Sequence, residues 1–315
     1  MSIRRFPNWC RSLRSLRQLS TKTEFEADAA LTKLNDSKYT IDFNSHWTVS
    51  GALNGGFLMS VALKAALESL QLDPLSFTGY YMSKALANNT AEIDVEILNK
   101  TKSTTVAQIS VTQLGQLRTR YLGVFGKYDN LKGHSHSILK APDLPPLSEC
   151  VDGASMLRNL VQDDNWTIVN SVDFRAPSDS PYVRNFLSNQ RGTEALCECW
   201  VTFADGHIPC IRSLAFFSDG IPPCVLNLTP FAWVPTLEYG VHFWSAPVIN
   251  PELTSLNAEQ QQQLGYYAGK HWLRARFRSD HVINGTLYTD GELWSADGTT
   301  LLATSRQIAR VFTPR

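Results

Sequence analysis

Phe57-Leu-Met-Ser-Val-Ala-Leu-Lys-Ala-Ala-Leu-Glu-Ser-Leu70, entered through Asn54-Gly55-Gly56 and followed by Asp73-Pro74, decides how the rest of the sequence is read. The run consists of good helix formers and is mostly apolar, so it predicts a helix that is buried rather than one lying on a surface. A buried helix needs other elements around it. Upstream, Tyr39-Thr-Ile-Asp-Phe43 alternates like a strand. Downstream, Ser76 to Ala85, Thr90 to Asn99, Thr104 to Thr112 and Arg118 to Gly126 read as further strands. The order is strand, helix, then an antiparallel meander.

The pattern fades between Lys127 and about Asp164, where Pro142, Pro145 and Pro146 and a polar His134-Ser-His136 predict a linker with a short helix near Ser155 to Val161. His134 and His136 have a spacing that metal ligands use on a strand, but in a polar loop solvated side chains are the simpler reading. The first order then returns. Trp166 to Arg175 and Glu194 to Phe203 read as strands, and Ile211-Arg-Ser-Leu-Ala-Phe-Phe-Ser218 as a helix stopped by Asp219-Gly220 and Pro222-Pro223. Leu237 to Trp244, Trp272 to Ile283, Thr286 to Trp294 and Leu301 to Phe312 follow as strands, with Asp297-Gly298 marking a hairpin. A helix wrapped by an antiparallel sheet, twice over, is an α+β architecture. The expected boundaries are a tail over 1–23, a first domain over 24–127, a linker over 128–164 and a second domain over 165–315.

The bulk composition agrees and narrows the function. With 315 residues, 43% of them hydrophobic, the chain can fill the cores of two ordinary domains. The 29 basic and 29 acidic residues cancel, so no overall field draws the protein to nucleic acid or to an acidic surface. Its apolar stretches fall short of the ~20 residues that span a bilayer. Six cysteines without a secretory signal suit a reduced compartment. Cys197 and Cys199 would share a strand face, but further zinc ligands at close spacing are missing, and small apolar packing residues explain them better. The first residues differ from all others: Arg4, Arg5, Arg11, Arg14 and Arg17 stand among serines, with no acidic residue before Glu24. That composition is expected of a mitochondrial transit peptide, with Arg17-Gln-Leu-Ser20 similar to a processing site, and a disordered basic tail on a cytoplasmic protein is the alternative.

Candidate chemistry concentrates near the second helix and the last strand. Leu301, Ala303, Ser305, Gln307, Ala309 and Val311 share one strand face, which leaves Gln307 as a long polar side chain among small or apolar neighbours. Asp219 closes an apolar helix; inside a sheet its carboxyl would titrate high and suit a base, whereas in a surface Asp-Gly turn it would be ordinary. Thr236 alone says little. A Gly-x-Ser-x-Gly elbow is absent, and consecutive Ser279-Asp280-His281 on a strand cannot form a relay. Arg274, Arg276 and Arg278 alternate on one face, as a solvated ladder or as contacts for phosphates, and His242 near Glu238 reads as a structural pair or an acid-base pair.

Leu53-Asn-Gly-Gly-Phe-Leu-Met-Ser-Val-Ala-Leu63, Leu214-Ala-Phe-Phe-Ser-Asp219, Pro235-Thr-Leu-Glu238, Gly291-Glu-Leu-Trp-Ser-Ala-Asp-Gly298 and Leu302-Ala-Thr-Ser-Arg-Gln307 occur in an order and spacing that resemble type II acyl-CoA thioesterases. The resemblance runs from about residue 24 to the end, apart from the linker. It implies a tandem hotdog, each unit an antiparallel sheet wrapped round a long helix, and a homo-oligomer. By the same resemblance Asp219, Thr236 and Gln307 match the Asp, Thr and Gln that hold the attacking water, and the substrate is acyl-CoA or another acyl-thioester. No metal or redox cofactor is called for. Asn54, Gly55 and Gly56, at the entrance to the first helix, are candidates for substrate or oxyanion contacts, because glycine lets a ligand approach the backbone. An acyl-thioester hydratase or dehydratase and a non-catalytic acyl-thioester-binding protein of the same fold are the rival readings.

Overall fold

The computed structural model describes residues 23–160, 166–188, 190–220, 223–230, 232–248 and 253–312. The expected transit segment therefore lies outside the described residues, apart from Thr23.

In the first half, strand β1 (Lys38–Asp42) is followed by the buried helix α1 (Gly55–Leu70) and by β2 (Asp73–Tyr81), β3 (Thr90–Lys100), β4 (Thr105–Gln113) and β5 (Gln116–Gly126). Asn54 caps α1 by accepting from the N–H of Phe57 at 2.9 Å, and Gln71 ends it in a left-handed conformation. Every residue from Gly56 to Leu63 is buried, as the apolar run requires.

The second half opens with β6 (Cys150–Asp152) and helix α2 (Gly153–Leu160), which continue into β7 (Val172–Pro177) and β8 (Ala195–Phe203). Helix α3 (Ile211–Phe217), β9 (Thr236–Phe243), β10 (Leu273–Ser279), β11 (Thr286–Trp294) and β12 (Leu301–Arg310) complete it. Three expected strands are cut short at one end, the first of them stopping at Tyr81 rather than Ala85. Thr167–Asn170 form a 3-10 turn before β7, where the Thr167 hydroxyl accepts from the N–H of Thr48 in the first half at 3.1 Å. The expected strand Trp272 to Ile283 breaks after Ser279, and Val282–Ile283 folds back on β11 through Asn284-Gly285, both at positive φ.

The principal strands form one continuous antiparallel sheet, in the order β1-β3-β4-β5-β2-β9-β12-β11-β10-β8-β7-β6. The two halves meet edge to edge at β2 and β9, where Tyr80, Gly79, Thr78, Phe77 and Ser76 pair with Glu238, Tyr239, Gly240, Val241 and His242. This is the tandem hotdog expected from the resemblance: each half curls round its own helix, and α1 packs against α3 between them. Rings from both halves seal that contact. Trp47 stacks on Phe57 with centroids 4.8 Å apart, and its edge meets Phe216 at 5.4 Å. Each such side chain, fully buried, contributes roughly 1.5–3 kcal/mol.

The linker is held on the outer side of the second half. Arg274 stacks over Trp200 and donates to the carbonyls of Pro142 and Ala296, while Arg276 pairs with Glu198 and Glu292 and reaches the carbonyl of Lys140. These two arginines are therefore clamps on the chain itself, and neither member of the solvated-or-phosphate alternative describes them.

Candidate active site

The site forms where the N-terminus of α1 meets the C-terminus of α3. Ser218 closes α3, and the turn after it points Asp219 back toward the first half. Hydroxyls from the sheet hold this end in place: Tyr239 donates to the carbonyl of Ala215 at 2.6 Å, and Ser305 to that of Ser218 at 3.0 Å. Both carbonyls lie at a helix end, where intrahelical donors run out. At the facing end of α1, Tyr81 donates to the carbonyl of Gly55 at 2.8 Å, in addition to that carbonyl's place in the helix.

Asp219 is 9% exposed and takes hydrogen bonds from both halves. Its Oδ2 accepts from the N–H of Gly56 at 2.8 Å and from Asn54 Nδ2 at 3.1 Å. Its Oδ1 accepts from Gln307 Nε2 at 2.8 Å. Asn54 is oriented without ambiguity, because its Oδ1 must serve the N–H of Phe57 while its amide nitrogen faces the carboxylate. All three donors are neutral. Burial pushes the Asp219 carboxyl up from 3.8 to about 7, while the bonds from Gly56 and Asn54 hold it down. The N-terminus of a 16-residue helix also faces the carboxylate and favours its charged form.

Gln307 Nε2 makes a second bond, at 2.7 Å, to Thr236 Oγ1. Both amide hydrogens of Gln307 are thereby engaged, and its Oε1 is left as an acceptor. Thr236 reaches this position through a bulge. Tyr239 pairs with Gln307 and Thr236 with Ala309, so three residues of β9 are advanced against two of β12. In a regular strand Leu237 would share the face of Tyr239, and Thr236 would point away. The bulge exchanges them: Leu237 is 44% exposed, and Thr236 turns to Gln307.

Asp219, Thr236, Gln307, Asn54 and Gly56 are thus brought into one hydrogen-bonded cluster. Gly55 borders it so closely that a methyl on its α-carbon would stand 3.1 Å from Asp219 Oδ2. The N–H of Gly56 is committed to Asp219, whereas that of Gly55, first in the helix, has no intrahelical acceptor. The other sequence candidates lie elsewhere. Ser279 bonds to Thr289, Asp280 pairs with Arg278, and His281 packs on Tyr288, which separates the three consecutive residues. His134, His136 and His242 are exposed. Cys197 and Cys199 are fully buried in the main core. Tyr81, Tyr239 and Ser305, which fix the two helix ends, carry no sequence signal beyond their strand positions.

Two family models match this chain: the acyl-CoA thioesterase N-terminal domain over residues 43–126, and the acyl-CoA thioesterase C-terminal domain over residues 152–311. The chain belongs to the acyl-CoA thioesterase family. Solved structures share the fold at low identity. A candidate thioesterase II of Thermobifida fusca aligns with a TM-score of 0.73 at 21% identity, over 92% of this chain and 98% of that one. A hot dog protein of unknown function from Alicyclobacillus acidocaldarius gives 0.73 at 19%, over 94% and 100%. Acyl-CoA thioesterase II TesB2 of Mycobacterium marinum gives 0.64 at 18%, over 92% and 98%. No curated relative matches the chain. In this acyl-CoA thioesterase family member, both matched domains contribute to the cluster, Asn54 and Gly56 from one and Asp219, Thr236 and Gln307 from the other.

Proposed function

We propose that the protein hydrolyses acyl-thioesters, acyl-CoA first among them, to the free acid and thiol, with Asp219 as general base on a water molecule. The observation that carries this reading is the state of the Asp219 carboxylate. It is buried, titrates at about 7 and is fixed by donors from both halves. A base with a pKa near the working pH combines a usable ionised fraction with real proton affinity.

Oδ2 of Asp219 already takes two donors, so Oδ1, with one from Gln307, is the oxygen with acceptor capacity left for water. Gln307 Oε1, which has no donor among the described residues, is the neighbouring acceptor. A water that donates to both presents its lone pair to the thioester carbonyl, while the Thr236 hydroxyl holds Gln307 in the required rotamer. As water attacks, its proton passes to Asp219. The tetrahedral oxyanion needs a donor that is not already engaged, which favours Gly55 N–H over Gly56 N–H. Collapse of the intermediate expels the thiolate, which recovers a proton from the Asp219 carboxyl or from solvent.

The test is free-thiol release by the purified chain over a series of acyl-CoA lengths, with Asp219→Asn as the control. Hydrolysis that vanishes in the variant supports the reading. Tight acyl-CoA binding without turnover in the wild type would replace it with the acyl-binding alternative. Association into a homo-oligomer belongs to the same proposal, and sedimentation of the active preparation reads it directly.

A further inference from the structure

Cys210 occupies in the second half the place Asn54 occupies in the first, since each caps the helix inside its sheet. Its surroundings are unlike those of the other described cysteines. Cys150, Cys197, Cys199 and Cys224 are 7%, 0%, 0% and 2% exposed, whereas Cys210 is partly open. Its Sγ lies 3.7 Å from His207 Nε2 and 3.4 Å from Ser213 Oγ. The other ring nitrogen of His207 lies 3.0 Å from Thr23 Oγ1, so a Thr23 hydroxyl donating there leaves the proton on Nε2, toward the sulfur.

Arg212 adds an independent observation. It is 8% exposed, stacks over Phe25 and pairs with Glu26 through Nη2, yet its buried Nη1 has no hydrogen-bond partner among the described residues. Glu26 belongs to the same cluster: its carboxylate lies within 4.8 Å of the Cys210 sulfur, 3.9 Å from His207 Nε2 and 3.9 Å from Lys64, while Asp205 accepts from the backbone N–H of His207. A cavity of about 590 Å³ opens along Thr23, Glu26, Lys64, Glu68 and His207. Glu26, His207 and Cys210 also have the ligand types of a metal site. However, Arg212 and Lys64 already face Glu26, and a divalent cation would be added beside two positive charges.

We propose that Cys210 is a reactive thiolate that reduces hydroperoxides and is converted to a sulfenic acid, with His207 as its supporting donor and Arg212 as a positive charge nearby. The sulfur attacks the terminal oxygen of ROOH, and the S–O bond forms as the O–O bond breaks. Sulfur gives up two electrons, the attacked oxygen stays on it as S–OH, and the departing RO⁻ takes a proton from water to become ROH. The ionisation agrees with this geometry. Burial alone would push the thiol up, but the His207 bond and the Arg212 charge outweigh it, and the pKa falls from 9.0 to about 7. This inference does not depend on the thioester reading.

The full chain is treated with hydrogen peroxide at pH 7 in the presence of a sulfenic-acid-trapping dione, and the adducts are mapped by peptide mass spectrometry. Cys210 is expected to label about tenfold faster than an ordinary thiol, following its thiolate fraction. Iodoacetamide alkylation of Cys210 in the wild type is expected to show a half-point near 7, and His207→Gln and Arg212→Met to move it upward. The wild-type pH profile stands even if a variant fails to fold. Labelling confined to other cysteines, an ordinary half-point of about 8.5, or full protection by one retained equivalent of zinc would each overturn the proposal.

Discussion

The backbone N–H of Gly56 and the carboxylate of Asp219 lie 2.8 Å apart across the contact between the two halves, 163 residues distant in sequence. A Cβ at Gly56 would fall 2.4 Å from the carbonyl oxygen of Phe216 and 2.9 Å from Asp219 Cβ. Neither neighbour is the end of a flexible side chain. Gly56→Ala is therefore expected to destabilise the protein by about 1–3 kcal/mol through overpacking and to abolish most turnover by displacing Asp219. Gly55→Ala, whose Cβ would come no nearer to Asp219 than 3.1 Å from Oδ2, is expected to be milder. Thermal melting and thiol release on the same preparations check both, and a Gly56→Ala protein that melts and turns over like wild type would remove the close approach from the account.

Asp219→Asn removes the base while keeping the volume, so kcat is expected to fall by at least about a hundredfold, at the lower end for general-base loss. Gln307 can turn its amide to receive the new NH₂, and the fold should survive. Steady-state kinetics read the first expectation, and circular dichroism reads the second.

The same substitution has a consequence for stability. Between pH 4 and 7 the folded protein keeps a proton on Asp219 that the unfolded chain has released, because folding raises this pKa from 3.8 to about 7. Stability from this group therefore declines as pH rises through that window, by up to about 4 kcal/mol, and is level above it. Urea unfolding at pH 5 and pH 8 should show the decline in wild type exceeding that in Asp219→Asn. Equal slopes would mean that Asp219 titrates normally.

For the reaction itself the sign reverses, since only ionised Asp219 accepts a proton. kcat/KM is expected to rise about tenfold per pH step below 7 and to level off above it, with the midpoint set by the pKa of about 7. A profile flat from pH 5 to 8 would point to another base.

Gln307→Ala separates orientation of water from binding. Loss of an amide that bonds both Asp219 and Thr236 should cost about 1–3 kcal/mol of stability, from partners left unpaired. If Gln307 orients water, kcat falls with little change in KM, whereas a role in holding the acyl-thioester would raise KM.

Much of the architecture is written in local patterns. The apolar run to Leu70 and the alternation of Leu301–Arg310 identify the buried helix and the buried strand face, and Gln307 stands out on that face as an amide among small neighbours. Asn284-Gly285 carries a hairpin signal of its own, and that local turn chemistry prevails over the alternation that makes Trp272 to Ile283 look like one strand. Thr236 is not legible, because its orientation depends on a bulge with no distinctive residue, and only the family resemblance singles it out. Asn54 and Gly56 are recognisable as a helix entrance, but their carboxylate partner is supplied by the other half. His207, Cys210 and Arg212 lie within six residues, yet what makes them notable is Glu26 and Thr23 across the fold.

The pairing of β2 with β9 also sets a schedule for biosynthesis. As the chain leaves the ribosome, Ser76–Tyr80 presents an unpaired strand edge until Thr236–Phe243 has been made. At roughly 5–20 residues per second that interval is on the order of ten seconds or more. Throughout it the nascent first half carries an open edge of the kind that recruits stray strands, so translation speed and chaperone supply, rather than final stability, are expected to govern how much of the protein reaches its native form.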